Sequence, residues 1–167
     1  MRGPAGPTVG ALRRITLSNI IVYNAEPKYA SIISGIPGHD IEDVTLNNIR
    51  IYYKGGGTKQ LAALEPPEKE SDYPEPAMFG DIPAYGFFIR HVRGLEMNGI
   101  NISYLKDDVR PPFILADAIS VDLRNVKVQH AVGVPTFVLK EVNDFSLRDS
   151  YPIGDLRLPK VKQQTVN

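Results

Sequence analysis

The chain has 167 residues, with 14 Gly, 14 Pro, no Cys, no Trp and 43% apolar side chains, the size and makeup of a single soluble domain. Its 19 Lys and Arg balance 19 Asp and Glu, so bulk charge points to neither nucleic acid nor an anionic membrane as partner. Zero cysteine excludes thiol nucleophiles, disulfides and thiolate metal sites, and is neutral about compartment.

The opening residues, Met1-Arg2-Gly3-Pro4-Ala5-Gly6-Pro7, lack the apolar run of a signal peptide. Gly and Pro there read as coil entering the fold, and patterning begins only at Leu12. A chain that opens in mid-pattern is expected to be a piece of something longer.

From Leu12 onward one phrase recurs. It reads Ile15-Thr16-Leu17-Ser18-Asn19-Ile20-Ile21-Val22, then Val44-Thr45-Leu46-Asn47-Asn48-Ile49-Arg50-Ile51, then Leu95-Glu96-Met97-Asn98-Gly99-Ile100-Asn101-Ile102, then Val121-Asp122-Leu123-Arg124-Asn125-Val126-Lys127-Val128, with a shorter copy at Phe145-Ser146-Leu147-Arg148-Asp149-Ser150. The starts recur about every 25 residues, with one double gap. Apolar residues alternate on both sides of a small polar residue, and the alternation slips by one across it. Two strands meeting at a bend produce that pattern, and Asn19, Asn48, Gly99, Asn125 and Asp149 are residue types that enter left-handed backbone at low cost. Stacked Asn side chains can form a hydrogen-bonded ladder.

A second apolar phrase precedes each later copy: Ser31-Ile32-Ile33-Ser34, Gly86-Phe87-Phe88-Ile89, Pro112-Phe113-Ile114-Leu115 and Thr136-Phe137-Val138-Leu139. Helical periodicity is absent. The pattern predicts an all-β chain, a right-handed parallel β-helix of about six to seven coils with three or more short strands per coil. Residues 1–167 form one such domain, about 30 Å long at ~4.8 Å per coil. The double gap, Tyr53 to Ala84, carries Gly55-Gly56-Gly57 and several prolines without strand pattern. It predicts a long loop folded against the solenoid. At the ends, Pro152 to Asn167 is suited to close the C-terminal edge, whereas Met1 to Ala11 offers no N-terminal cap, so the open end gives a route to a homo-oligomer.

Four phrases in order, Ser31-Ile32-Ile33-Ser34-Gly35-Ile36-Pro37-Gly38-His39, Arg50-Ile51-Tyr52-Tyr53-Lys54-Gly55-Gly56-Gly57, Tyr73-Pro74-Glu75-Pro76-Ala77-Met78-Phe79-Gly80 and Pro83-Ala84-Tyr85-Gly86-Phe87-Phe88-Ile89-Arg90-His91, resemble the C-terminal part of bacterial glycoside hydrolase family 28 proteins, the polygalacturonases and rhamnogalacturonan hydrolases. The resemblance runs from about Gly6 to Gln129. It implies a pectin-directed inverting hydrolase on a right-handed β-helix, in a periplasmic or secreted parent protein. The family's Asn-Thr-Asp, Asp-Asp, Gly-His-Gly and Arg-Ile-Lys motifs lie upstream of these phrases and have no counterpart here. Asp107-Asp108 is followed by Gln129-His130-Ala131, Pro37-Gly38-His39-Asp40 lacks a second glycine, and Arg14-Ile15-Thr16 lacks the lysine. No catalytic residue is therefore assigned, and the chain alone is expected to be inactive.

Among the residues themselves, the carboxylates able to face one another across coils are Asp40, Asp107, Asp108, Asp117, Glu141 and Asp144, although solvated turn positions explain them equally well. The turn after the first strand of each coil gathers His39, Asp40, Arg90, His91, Arg93, Asp117, Lys140 and Glu141 along one edge. Arg, His and Lys in such a row can pair with uronate carboxylates, and Tyr73 and Tyr85 can offer sugar-stacking faces. The candidate substrate-binding set is His39, Tyr73, Glu75, Tyr85, Arg90, His91 and Arg93; no metal and no cofactor is expected, because the three histidines stand in separate coils. Two functions follow. The chain is the subsite-bearing C-terminal portion of a pectin hydrolase, or it is a non-enzymatic β-helix that binds acidic polysaccharide or self-associates through its open edge.

Overall fold

A computed structural model describes residues 9–167; the expectation about an N-terminal cap falls partly on residues 1–8, outside the described residues. The chain is all-β. Its strands are β1 (Arg13–Ala25), β2 (Ser31–Ser34), β3 (Ile41–Gly55), β4 (Phe87–Lys106), β5 (Phe113–Val128), β6 (Phe137–Arg148) and β7 (Leu156–Val166), in one sheet of order β1-β3-β4-β5-β6-β7 with β2 paired to β4. Every pairing is parallel except β6 with β7.

The repeated phrase sets the register. Ile15, Val44, Leu95, Val121 and Phe145 stand opposite one another on successive strands, as do Leu17, Leu46, Met97, Leu123 and Leu147. A strand alternates its side chains between two faces, so identical spacing in each copy puts every apolar residue into the same buried column. The preceding phrases pair likewise, with Phe87 opposite Phe113 and Phe113 opposite Phe137. Their rings stack at 5.2 Å and 5.0 Å between centroids.

Left-handed residues punctuate the strands in columns. Asn19, Asn48, Gly99, Asn125 and Asp149 all have positive φ, from 50° to 69°, the bend that the sequence pattern predicts. Two further columns are left-handed: Arg14, Asp43, Gly94, Ser120 and Asp144 form one, and His91, Asp117 and Glu141 the other. Gly and Asp enter that backbone at low cost. Arg14, Ser120 and Glu141 are held there by register with the neighbouring strands.

β7 runs antiparallel along β6 and sets Leu158 opposite Phe145, Val161 opposite Val142 and Val166 opposite Phe137. Val161 and Val166 are buried, so the C-terminal segment covers that end of the core as its sequence suggests.

The excursion after β3 contains one helical turn, α1 (Lys59–Ala62), capped by the Thr58 hydroxyl, and a 3-10 turn at Pro76–Phe79. Its last residues pack inward. Ile82 and Ala84 join Phe88 and Ile114 in a second apolar cluster beside the main core.

Candidate functional site

Asp40, His91, Asp117 and Glu141 each immediately precede one member of the in-register column Ile41, Val92, Ala118 and Val142. Four successive rungs therefore place a titratable residue at one bend. The carboxylates and the imidazole of this row lie at the edge where the strands turn, with Arg93 and Lys140 beside them.

His91 is the centre of the row. Its Nδ1 lies 2.7 Å from Asp117 Oδ2 and its Nε2 lies 3.0 Å from Glu68 Oε2. Both ring nitrogens are thus engaged by carboxylates from two different segments. Glu68 comes from the excursion and Asp117 from β5, so the histidine links loop to sheet.

Arg90, one residue earlier, is buried and anchors the same loop. Its Nε donates to Ser34 Oγ at 2.9 Å, Nη1 to the Pro66 carbonyl at 3.0 Å and Nη2 to the Pro67 carbonyl at 2.7 Å, while Nη1 stands 3.2 Å from Glu68 Oε2. The guanidinium lies over the Phe79 ring at 4.8 Å, a favourable cation–π placement. Burial acts to lower its pKa, and Glu68 and Glu70 act against that shift. Arg90 is thus a loop anchor whose donors are occupied.

Arg93 pairs with Asp40 at 3.3 Å on the surface, and Lys140 pairs with Glu65 of the loop. His39 is exposed, and its backbone forms a two-way bridge with Ile36. Gly35 lies between His39 and His91; a Cβ there would stand 2.5 Å from the His91 carbonyl oxygen and 2.8 Å from that of His39. The two histidine backbones approach each other only because residue 35 has no side chain.

Tyr73 is exposed on the loop, and Glu75 precedes the 3-10 turn, its carbonyl accepting from Met78 N–H at 3.1 Å. Tyr85 is enclosed. Its ring meets Tyr53 and Tyr104 edge-on, and its hydroxyl donates to the Gln129 carbonyl. Burial, followed by the nearby Tyr104, Tyr53 and Asp108, raises its phenol far above the usual value. No ring face of Tyr85 is open to a sugar; it packs the loop onto the sheet.

Asp108 is likewise internal. Arg110 donates to it through Nε at 3.0 Å, through Nη2 at 2.6 Å and through its backbone N–H at 3.0 Å, and Gly57 N–H donates at 2.9 Å. Burial works to raise this carboxyl, but the Arg110 side chain, backbone and charge together with Gly57 hold it below the usual carboxylate value. The Arg110 Nη1 also donates to the carbonyls of Pro27 and Ile82. Of the remaining carboxylates, Asp107 and Glu141 are exposed, and Asp144 stands 3.7 Å from Arg157.

A separate groove of about 690 Å³ is lined by Asp43, Glu96, Asp122 and Asp144 together with Arg148 and Arg157. Sequence reading passed over Glu96 and Asp122. Their signal was present, since the second residue of each phrase, Thr45, Glu96, Asp122 and Ser146, forms one outward column in register. Among the described residues, no three His, Asp or Glu form a metal-binding group, and no helix is long and apolar enough to cross a membrane.

No family model, curated protein or solved structure matches the chain.

Proposed function

We propose that the chain is the C-terminal portion of a pectin-directed glycoside hydrolase of the family 28 type, coiled as a right-handed parallel β-helix, with the catalytic aspartates on coils other than these. The coiling is supported by parallel rungs in common register, each broken by columns of left-handed residues around one apolar core. A sheet bent at the same places on every rung winds instead of spreading flat.

The observation that carries the glycan reading is the pair of surface cations, Arg93 and Lys140, on the edge that also holds Asp40, His91, Asp117 and Glu141. A polymer of acidic sugars laid along the axis would meet one bend residue per ~4.8 Å rung. Its carboxylates would exchange into the Arg93–Asp40 and Lys140–Glu65 pairs, which are at the surface. Exposed pairs contribute only ~0.2–1 kcal/mol, so the exchange costs little. Arg90 and Tyr85 support the wall from behind, and Tyr73 and Glu75 lie on the loop beside it.

Calorimetric titration with oligogalacturonate tests this. Expected is weak, salt-sensitive binding on the order of 0.1–1 mM, reduced by Arg93→Ala, with no release of reducing ends. Cleavage of polygalacturonate by the purified chain, or no affinity at low salt, would sink the reading. A second reading, a non-enzymatic β-helix that self-associates, is favoured by the exposed Leu12, Leu17, Ile21 and Tyr23 of the N-terminal edge, and light scattering separates the two.

A further inference from the structure

We infer that the free edge of β1 is an acceptor for one more polypeptide coil, entering as a parallel strand with apolar residues at the inward positions, Asn at the bend and an aromatic four residues after the Asn. The inference rests on the coiling proposed above and not on glycan affinity.

Three contacts end at β1, each with an open side: an apolar column that runs the length of the sheet, and an amide bond and a ring stack that join β3 to β1. The first is apolar. Ile15, Leu17, Ile20 and Val22 continue the columns of Val44, Leu46, Ile49 and Ile51, yet Leu17 is 46% exposed where Leu46 is 2% exposed. Ile15 and Leu17, with Leu12, Ile33 and Ile41, line an open groove of about 790 Å³. The second is the amide ladder. Asn48 Nδ2 donates to Asn19 Oδ1 at 2.8 Å, and among the described residues the Asn19 amide nitrogen has no protein acceptor. The third is aromatic. Tyr23 stacks on Tyr52 with centroids 5.0 Å apart and planes within 4°, and its outer face is left to solvent. Among the described residues the backbone of β1 is paired on one side only.

The far end of the molecule supplies the contrast. There β7 has covered β6, and its Val161 and Val166 are buried. A second copy of this chain fits the β1 edge less well. Its own β1, brought to the same edge, would pair antiparallel about a two-fold axis between Ser18 and Asn19. That arrangement sets Ile15 opposite Val22 and Leu17 opposite Ile20 but leaves Asn19 facing Ser18 and Tyr23 facing Arg14, so one ladder is completed and two are not. A parallel strand completes all three. Where the entering coil crosses the loop it meets Glu70 and Glu75 at the groove's rim, beside the Lys69–Asp72 pair, a net acidic stretch that favours Lys or Arg in that part of the donor.

The chain's own β3 carries every feature required: Val44, Leu46, Asn48, Ile49, Ile51 and Tyr52. A labelled synthetic peptide of residues 41–55 is therefore the probe, titrated into the full chain and followed by fluorescence anisotropy and amide hydrogen exchange. Expected is saturable one-to-one binding, with slowed exchange confined to β1, weakened at least about tenfold by Leu17→Lys in the chain and severalfold by Asn48→Ala in the peptide. Circular dichroism of the Leu17→Lys chain confirms that it is folded. Equal binding of a scrambled peptide, binding indifferent to Leu17→Lys, or β1 protection that rises with protein concentration without peptide would each overturn the inference. Oligogalacturonate affinity measured on the same samples reports separately on the glycan proposal.

Discussion

Arg110 Nη2 lies 2.6 Å from Asp108 Oδ2 with both side chains withdrawn from solvent, and this pair joins three chain segments, because Gly57 donates to the carboxylate and Pro27 and Ile82 accept from the guanidinium. Removing one partner leaves an uncompensated buried charge. Asp108→Ala is expected to lower stability by about 3–5 kcal/mol in urea unfolding, and a loss under 1 kcal/mol would contradict the assignment.

The same carboxylate gives a pH signature. Its folded pKa lies below the usual carboxylate value, so its stabilising contribution is present above about pH 4 and disappears as pH falls through the folded pKa. Acid unfolding of Asp108→Asn, normalised to its own neutral-pH stability, should show a shallower slope below pH 4 than the parent chain.

Tyr53 behaves in the opposite sense. Burial pushes its phenol up to about 12, against the Ser31 hydrogen bond and the Arg110 charge. Its contribution is complete below about pH 10 and is lost as pH rises toward 12. Spectrophotometric titration should show the Tyr53 phenol ionising together with alkaline unfolding; ionisation near pH 10 in a folded chain would contradict the burial.

Arg90 holds the loop, so Arg90→Ala should expose residues 56–84 to protease before the sheet unfolds. Cleavage by trypsin after Lys59 or Lys69 is expected to accelerate about tenfold or more, with about 1–3 kcal/mol lost overall. Unchanged proteolysis would show that the loop is held elsewhere.

Asn48 combines a left-handed backbone, φ 51°, with the amide bond to Asn19. Asn48→Ala should cost about 1–2 kcal/mol, and Asn48→Gly less, because glycine enters that backbone region freely. Equal losses in thermal melts would mean that the hydrogen bond, not the backbone, dominates.

Legibility in the sequence followed repetition. The columns headed by Ile15, Leu17 and Asn19 were readable because five rungs repeat one spacing, and a parallel in-register sheet turns spacing directly into contact. The bends at Arg14, Ser120 and Glu141 were not readable, since these residue types do not favour left-handed backbone and in-register neighbours hold them there. Glu96 and Asp122 occupy a repeated outward position that carries no chemical motif. Tyr85, a candidate stacking face in the sequence, is enclosed by Tyr53 and Tyr104.

Composition and periodicity by themselves determined that the chain is all-β, where its inward residues fall, and that a long excursion ending at Ala84 leaves the sheet; its expected start at Tyr53 moves to Gly56, because β3 pairs with β4 as far as Gly55. Those properties are local and repeated, so each copy of the phrase reports them independently. Only the tertiary structure decided that Arg90, His91 and Asp108 hold a loop through contacts 23 to 51 residues away, that β7 turns back antiparallel to cover β6, and that among the described residues β1 is paired on one side. Such contacts occur once, between segments whose separation in sequence carries no period. Burial and charge pairing across the folded molecule choose them.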